Sequence, residues 1–521
     1  MDPSQARWRP SHNPWIIAVA VMAATFMEIL DTSVANVALP HIAGNLSATT
    51  EESTWVLTSY LVSNAIVLPI TGWLGLYFGR RRLLVICIAI FTIASVLCGI
   101  APDLGFLIVA RIFQGIGGGA LIPVSQAVLL ESFPPEKRGI AMATFGMGVV
   151  VAPILGPTLG GWITDNYSWR WIFYINLPVG IFAMLMVHAF VEDPPYIQNA
   201  KVEKIDFIGF ALLAVWLGSL QVILDKGQQE DWFASEWIRW FGLLSVGCFL
   251  GFIIRELHTE HPIVDLRILA NRNYAGGLLM ITTLGAVLYG TTAALPIFLQ
   301  TLMGYPALQS GMALSPRGIG AFITTFLVGR LVGRVPYRVL ISLGFGLLAV
   351  SSFWLGHINL GIAMWNVVLP SVLNGVAISF IFVPLTTATM GYLRQEQMGN
   401  ATGIFNLMRN LGGSLGIAMV STLIIRRAQV HQSMMAAHLT PFDPPFVETL
   451  SGLQHSLAAQ SGPVLSDMQA HEILYNTLLG QASLWAFVEN FRLFGFFCLC
   501  CLPLVFLLRK VRSRGPAVAA H

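Results

Sequence analysis

Charge is scarce in this chain. Of its 521 residues only 11% are Asp, Glu, Lys or Arg, whereas 55% are hydrophobic. A soluble domain carries roughly 25% charged residues, so no soluble fold of this size could hydrate its surface. That excludes an ordinary cytoplasmic enzyme, a disordered chain and a disulfide-stapled secreted module. The six cysteines, Cys87, Cys98, Cys248, Cys498, Cys500 and Cys501, all lie in apolar runs without the paired spacing of a zinc site, and read as apolar filler. A GxxxxGK[ST] phosphate loop is missing, which argues against ATP as the energy source within the chain. His471-Glu472 lacks a second histidine at the zinc-protease spacing, and His258-x-Glu-His261 falls in a polar loop, where solvated charge is the better reading. No metal, no cofactor, no nucleic-acid partner and no enzyme chemistry is therefore expected.

What the chain has is long hydrophobic runs. A helix crosses the hydrocarbon with about 20 apolar residues. Fourteen runs meet that length: 15–39, 53–75, 82–101, 104–130, 138–163, 169–191, 205–224, 237–255, 273–300, 306–329, 337–357, 362–387, 399–425 and 485–508. The first is too long for a signal peptide and carries Glu28 and Asp31 inside it. Lys and Arg in the connecting segments give the orientation. One set of alternate segments holds twenty of the 29: Arg7, Arg9, Arg80, Arg81, Arg82, Lys137, Arg138, Lys201, Lys204, Arg255, Arg267, Arg272, Arg330, Arg334, Arg338, Arg394, Arg509, Lys510, Arg512 and Arg514. The opposite set holds six, Arg170, Lys226, Arg239, Arg426, Arg427 and Arg492, and three fall inside runs. This bias places both termini in the cytoplasm, in keeping with an even number of spans. The expected fold is an all-α polytopic membrane protein.

A short motif occurs twice. Gly72-Trp-Leu-Gly-Leu-Tyr-Phe-Gly79-Arg80-Arg81-Arg82 joins spans 2 and 3, and Gly329-Arg-Leu-Val-Gly-Arg-Val-Pro-Tyr-Arg338 joins spans 10 and 11. If spans 7 and 8 are an insertion, each motif is the second-to-third connection of its own half. Two six-helix bundles with a substrate site between them is a transporter arrangement. The expected organisation is an N-terminal six-helix bundle over 1–191 and two inserted helices with linkers over 192–272. A C-terminal six-helix bundle follows over 273–521 and includes an extracytoplasmic loop at 426–484. In that loop Leu450, Leu453 and Leu457, and then Leu474, Leu478 and Ala482, recur at helical spacing. Short amphipathic helices are expected there, either as a docking surface or as a cap over the outer mouth.

Ionisable groups inside spans are costly, so each is a functional candidate. Glu28 and Asp31 share a helix face in span 1, and Arg111 lies in span 4 at the depth of Asp31. A carboxylate balanced between burial and a guanidinium can load and release a proton; the alternative is a fixed ion pair. Glu28 reads equally as a group facing water in a cavity. Gln114 and Gly115 continue the Arg111 face. Arg317 and Arg409, in spans 10 and 13, have no acidic neighbour in their own spans, and are candidates for contact with substrate, carbonyls or a distant carboxylate. In span 5, Ala152-Pro153 and Gly156-Pro157, followed by Gly160-Gly161, place two small-residue–proline pairs four residues apart. They read as a hinge or as close packing.

These residues resemble the major facilitator superfamily, in its 14-helix drug:proton antiporter branch. Leu30-Asp31-Thr-Ser-Val-Ala-Asn36-Val-Ala-Leu-Pro40 is similar to the span-1 signature of that branch. Arg111, Gln114 and Gly115 match its span-4 motif, and Gly156-Pro157-x-x-Gly160-Gly161 its antiporter motif. Asp225-Lys-Gly227, Asp231-Trp-Phe233 and Pro262-Ile-Val-Asp265-Leu resemble the EmrB-type multidrug exporters more narrowly. One departure is Leu76, where the span 2–3 motif usually carries an aspartate. The resemblance implies proton-coupled export of amphiphilic drugs across the inner membrane by alternating access. Asp31, Arg111 and Glu28 are then the proton-coupling residues. Glu28, Asp31, Asn36, Gln114, Arg317 and Arg409 are the substrate-binding candidates. The alternative is a narrow-substrate exporter of a metabolite or siderophore. The resemblance further implies a periplasmic membrane-fusion adaptor and an outer-membrane channel as partners.

Overall fold

A computed structural model describes residues 10–134, 137–198, 206–260, 262–391, 393–394, 397–506 and 508. Arg7, Arg9, Lys201, Lys204, Arg509, Lys510, Arg512, Arg514 and His261 lie outside the described residues, as does the side chain of Pro157.

The described residues form 14 helices long and apolar enough to cross a membrane. Spans 1–6 are Pro14–Asn45, Trp55–Phe78, Arg80–Gly99, Leu104–Ser132, Arg138–Asn166 and Trp171–Phe190. Spans 7 and 8 are Phe207–Lys226 and Glu236–His258. Spans 9–14 are Arg272–Thr301, Gln309–Leu331, Tyr337–Leu355, Trp365–Met390, Met398–Ala436 and Leu465–Val505. Each expected run is found.

Spans 1–6 and 9–14 pack by one scheme. In the first bundle, span 1 packs on spans 5 and 6, span 4 on spans 2 and 3, and span 3 on span 6. In the second, span 9 packs on spans 13 and 14, span 12 on spans 10 and 11, and span 11 on span 14. The repeated motif takes equivalent places in this scheme. A Cβ on Gly72 would come within 2.7 Å of the Asn400 backbone nitrogen at the start of span 13. A Cβ on Gly329 would come within 2.9 Å of Ala143 near the start of span 5. Both glycines sit where one bundle touches the other, at the Lys/Arg-rich end. That end is further closed by the Asn406 amide of span 13, which donates to the Gln126 carbonyl of span 4 at 2.7 Å.

Spans 7 and 8 stand beside the bundles. The Asp225-Lys-Gly227 motif pins span 7 to span 2: Asp225 accepts from Thr58, and Lys226 reaches Thr54 and lies 5.3 Å from the Trp55 ring. Trp232 of the second motif donates to Thr422 of span 13 at 3.1 Å. Asp265 of the third caps the turn Leu266–Ala270, and its carbonyl accepts from Asn400. Span 8 packs on span 7 and turns Trp240, Leu243 and Val246 outward, an apolar face suited to lipid.

The structure revises the loop 426–484. Span 13 runs unbroken for 39 residues, and the last helix, Pro463–Val505, for 43. At about 1.5 Å per residue the latter is roughly 64 Å long, twice the hydrocarbon thickness of about 30 Å. Leu474, Leu478 and Ala482 thus belong to the outward extension of span 14 and not to a separate short helix. Leu450, Leu453 and Leu457 do form one, Pro444–Ser461, which packs along that extension. Arg427 and His431 of span 13 clasp Glu489 of span 14 at 2.6 and 3.1 Å where the two extensions leave the bundle. The segment stands away from the bundles as a projection.

Candidate functional site

Span 1 is broken neither by Glu28 nor by Asp31, which flank its midpoint. Asp31 is 14 residues from the helix end at Asn45, about 21 Å at about 1.5 Å per residue. Span 4 is two helices, Leu104–Gly118 and Leu121–Ser132, with the break just beyond its glycines. The first of these carries Arg111 and Gln114 on one face, three residues apart, against span 1.

Asp31, Arg111, Gln114 and Asn176 form one buried network. Arg111 Nη1 donates to Asp31 Oδ2 at 2.6 Å and to Gln114 Oε1 at 2.7 Å. Gln114 Nε2 donates to Asp31 Oδ1 at 2.9 Å, and so does Asn176 Nδ2 of span 6 at 2.7 Å. Arg111 Nε donates to the Val56 carbonyl at 3.0 Å, and its guanidinium lies 4.3 Å from the Tyr60 ring centroid. The Arg111 side chain is 0% exposed and that of Asp31 1%. A buried ion pair repays its desolvation only as far as its remaining donors and acceptors are met; here the Asp31 carboxylate accepts three hydrogen bonds, while Arg111 Nη2 is buried without a partner.

Glu28, one turn away, is held differently. Oε1 accepts from Asn64 Nδ2 at 3.0 Å, while Oε2 is buried with no hydrogen-bond partner. The charges of Arg409 and Asp31 both act on it. Proton arrival at Oε2 meets no competing donor, whereas at Asp31 it competes with three donors, one of them a guanidinium. Arg409, in span 13, is 3% exposed, and its Nε and Nη1 are buried without partners.

Two expected members lie elsewhere. Asn36 is exposed and donates to the Thr32 carbonyl of its own helix. Arg317 donates to Thr292 at 2.7 Å and approaches Thr291 and the Leu288 carbonyl, fastening span 10 to span 9.

The antiporter-type residues pack span 5 on span 1. A Cβ on Gly156 would come within 2.4 Å of the Ser33 Cβ, and one on Gly160 within 2.9 Å of Val34; Gly161 has ordinary room near Val37. Pro157 has no N–H for the Pro153 carbonyl, and Ser33 Oγ donates to that carbonyl instead, at 3.0 Å. The gap in the span 5 ladder is thus filled from span 1.

At the Lys/Arg-rich end, Gly79 has φ of 80° and turns the chain from span 2 into span 3. The Asp193 carboxylate accepts from the backbone N–H of Arg80 at 2.7 Å and of Arg81 at 3.1 Å, capping span 3. The Arg80 side chain pairs with Glu131, and the Tyr196 hydroxyl bridges the pair at 2.8 Å to each partner. Glu131 and Asp193 thus supply carboxylates around a motif whose own aspartate position is Leu76.

Sequence reasoning singled out ionisable groups and missed Asn64, Gln126, Asn176 and Asn406. Asn64 and Asn176 are the lone amides of their spans, and that isolation was the available signal; Gln126 shares span 4 with Gln114, and Asn406 shares span 13 with Asn400 and Asn410.

A model of the Major Facilitator Superfamily matches residues 21–417. The fatty acid resistance protein FarB of Neisseria gonorrhoeae is 39% identical over 96% of this chain and 97% of its own. The multidrug export protein EmrB of Escherichia coli K12 is 38% identical over 82% of this chain and 84% of its own. In structure, the chain is similar to the human organic anion transporter MFSD10, with a TM-score of 0.61 at 13% identity over 94% of this chain and 100% of the other. The proton:xylose symporter XylE gives a TM-score of 0.58 at 14% identity over 94% and 95%. At such identities these two speak for the fold alone.

Proposed function

The chain belongs to the major facilitator superfamily, and on that premise we propose that it is a proton-coupled multidrug exporter that moves amphiphilic compounds out of the cytoplasm by alternating access. Its kinship with multidrug export proteins supports the substrate class. The observation that carries the mechanism is the pair of unlike carboxylates in span 1. Asp31 accepts from Arg111, Gln114 and Asn176 through both its oxygens, whereas Glu28 keeps one oxygen without a hydrogen bond. Glu28 accepts the incoming proton, and Asp31 and Arg111 exchange partners as the bundles rock. Spans 1 and 5 move as a unit, because Gly156, Gly160 and Ser33 leave no space between them.

The Lys and Arg bias supports an inner-membrane orientation with both termini in the cytoplasm. The projection from spans 13 and 14 then lies outside. It carries Phe442 at 93% exposure and Met468 at 65%, contact area suited to a periplasmic adaptor that leads to an outer-membrane channel.

Vesicles containing the purified protein and an imposed pH gradient test this reading. Uphill movement of several chemically unrelated amphiphiles, lost when the gradient collapses, is expected; no movement of any probe would refute it. The second reading is a narrow-substrate exporter, supported by the fatty acid resistance of the gonococcal relative. Competition between unrelated drugs separates the two: one compound class alone would favour the second.

A further inference from the structure

Within their spans the described residues hold an uneven set of buried charges: two carboxylates, Glu28 and Asp31, against three guanidiniums, Arg111, Arg317 and Arg409. Arg111 pairs with Asp31 and leaves one nitrogen, Nη2, without a partner, and Arg317 bonds the Thr292 hydroxyl of span 9 and leaves Nε. Arg409 is 3% exposed, and neither Nε nor Nη1 has a partner. A guanidinium cannot shed its proton and presents donors in a fork that matches a carboxylate or phosphate. Burying such a group with two donors unpartnered is expensive, and an anion that met them would relieve that cost. The surroundings repeat the theme: Gln126 Nε2 is also buried without a partner, three residues of span 13 away through its bond with Asn406. Beyond these polar groups the seam is greasy, with Phe382 of span 12 at 3.4 Å from a Cβ on Gly146 and Met22 of span 1 at 3.5 Å from one on Gly148.

We infer that Arg409 anchors the anionic headgroup of a carried amphiphile, whose apolar tail lies along the seam between the bundles. Glu28 is the resting counter-charge of Arg409, and the ligand's anion takes over that role when it binds. The inference rests on the exporter reading and names one substrate class for its site. A cationic amphiphile uses Glu28 instead and needs no Arg409.

The test is equilibrium binding to the purified full chain in zwitterionic nanodiscs at one pH, with dodecanoate and dodecyltrimethylammonium as matched probes. Arg409→Gln should weaken dodecanoate about 10- to 100-fold, the range for a lost charge-assisted hydrogen bond, and leave the cation's affinity equal or higher, which also reports an intact fold. Arg409→Lys should lose less, because it keeps the charge without the fork. Glu28→Gln should tighten dodecanoate and weaken the cation. Unchanged dodecanoate affinity in Arg409→Gln, or weaker dodecanoate binding in Glu28→Gln, would overturn the inference. If adding an anionic phospholipid to the discs abolishes dodecanoate binding, the headgroup at Arg409 is a resident lipid's and the cargo assignment falls. Binding needs no proton gradient, so a protein that binds dodecanoate through Arg409 yet moves nothing in vesicles would sink the exporter reading, and the cargo assignment with it, while Arg409 would remain an anion-binding residue.

Discussion

Replacing Asp31 by Asn removes one charge and little else in volume, and the surroundings set its cost. Three N–H donors point at the carboxylate, from Arg111, Gln114 and Asn176, at 2.6 to 2.9 Å. An asparagine offers one oxygen to those donors and turns an NH2 toward at least one of them. Arg111, fully buried, keeps the Val56 carbonyl, the Gln114 oxygen and the Tyr60 ring but loses its only opposite charge in contact. Removing one partner of a buried pair costs about 3–5 kcal/mol. The remaining partners of Arg111 place the expected loss near the lower end, about 3 kcal/mol. Asp31→Asn should therefore melt earlier than the parent protein in detergent, and in vesicles it should move no substrate against a gradient. Arg111→Gln alone should be similarly destabilised. The double variant should be more stable than the sum of the two losses allows, because no unpaired charge remains. Additive losses would show that the two residues are not energetically linked, and uphill transport by Asp31→Asn at the parent rate would remove Asp31 from proton coupling.

Gly72→Val places a side chain against the Asn400 backbone, which cannot swing away; overpacking of this kind costs about 1–3 kcal/mol. It should open the Lys/Arg-rich end, seen as a longer distance between spin labels on spans 2 and 13, and an unchanged distance distribution would contradict the closure described above. Asp206 caps span 7 through the N–H groups of Ile208 and Gly209 and accepts from Arg255 of span 8, whose side-chain bond holds the Asp206 carboxyl below the usual carboxylate range. Asp206→Asn keeps the cap and should cost less than Asp206→Ala, which loses about 1 kcal/mol more. Because the folded-state value is depressed, the ion-pair contribution is complete above the ordinary carboxylate pKa of about 4 and fades as pH falls below it. The melting difference between the parent and Asp206→Asn should accordingly be constant from neutral pH down and shrink only in acid. Shortening residues 441–470 should leave vesicle transport intact, since Pro444–Ser461 packs on the span 14 extension, but abolish resistance in cells with two membranes. Loss in both assays would assign the projection to the transport cycle.

The spans were legible because a membrane forces long apolar runs, and each of the fourteen is found. The breaks within them were not. Span 4 turns at Gly119 and Ala120, after Gly115, Gly117 and Gly118, and span 10 is interrupted at Ser315 before Pro316; glycine and proline stand at both places, but membrane helices also carry them unbroken. The extent of spans 13 and 14 was hidden for another reason. Polarity rises after Ile425, which ends a hydropathy run but not a helix. No Gly or Pro stands between Arg426 and Leu439, so nothing in the backbone stops span 13 until Pro441 approaches.

The site was legible in its charges and illegible in their partners. A carboxylate or guanidinium inside a span is conspicuous, whereas an amide such as Asn176 looks like a tolerated polar residue. Yet the amides distinguish the two carboxylates: Asn176 and Gln114 join Arg111 on Asp31, while Asn64 bonds one oxygen of Glu28 and the other has no hydrogen bond. Leu76 makes the same point at the other end. Read position by position, its lost aspartate implies a missing latch. In space, Glu131 from span 4 and Asp193 from the segment after span 6 bring carboxylates to Arg80 and to the start of span 3. A side chain's charge at a motif position can thus be supplied from any helix that packs there. What the motif fixes is Gly72 and Gly79, where a Cβ would strike Asn400 in one case and Asp193 in the other. The glycines are irreplaceable locally because close approach cannot be supplied from elsewhere, and the aspartate is replaceable because charge acts through space.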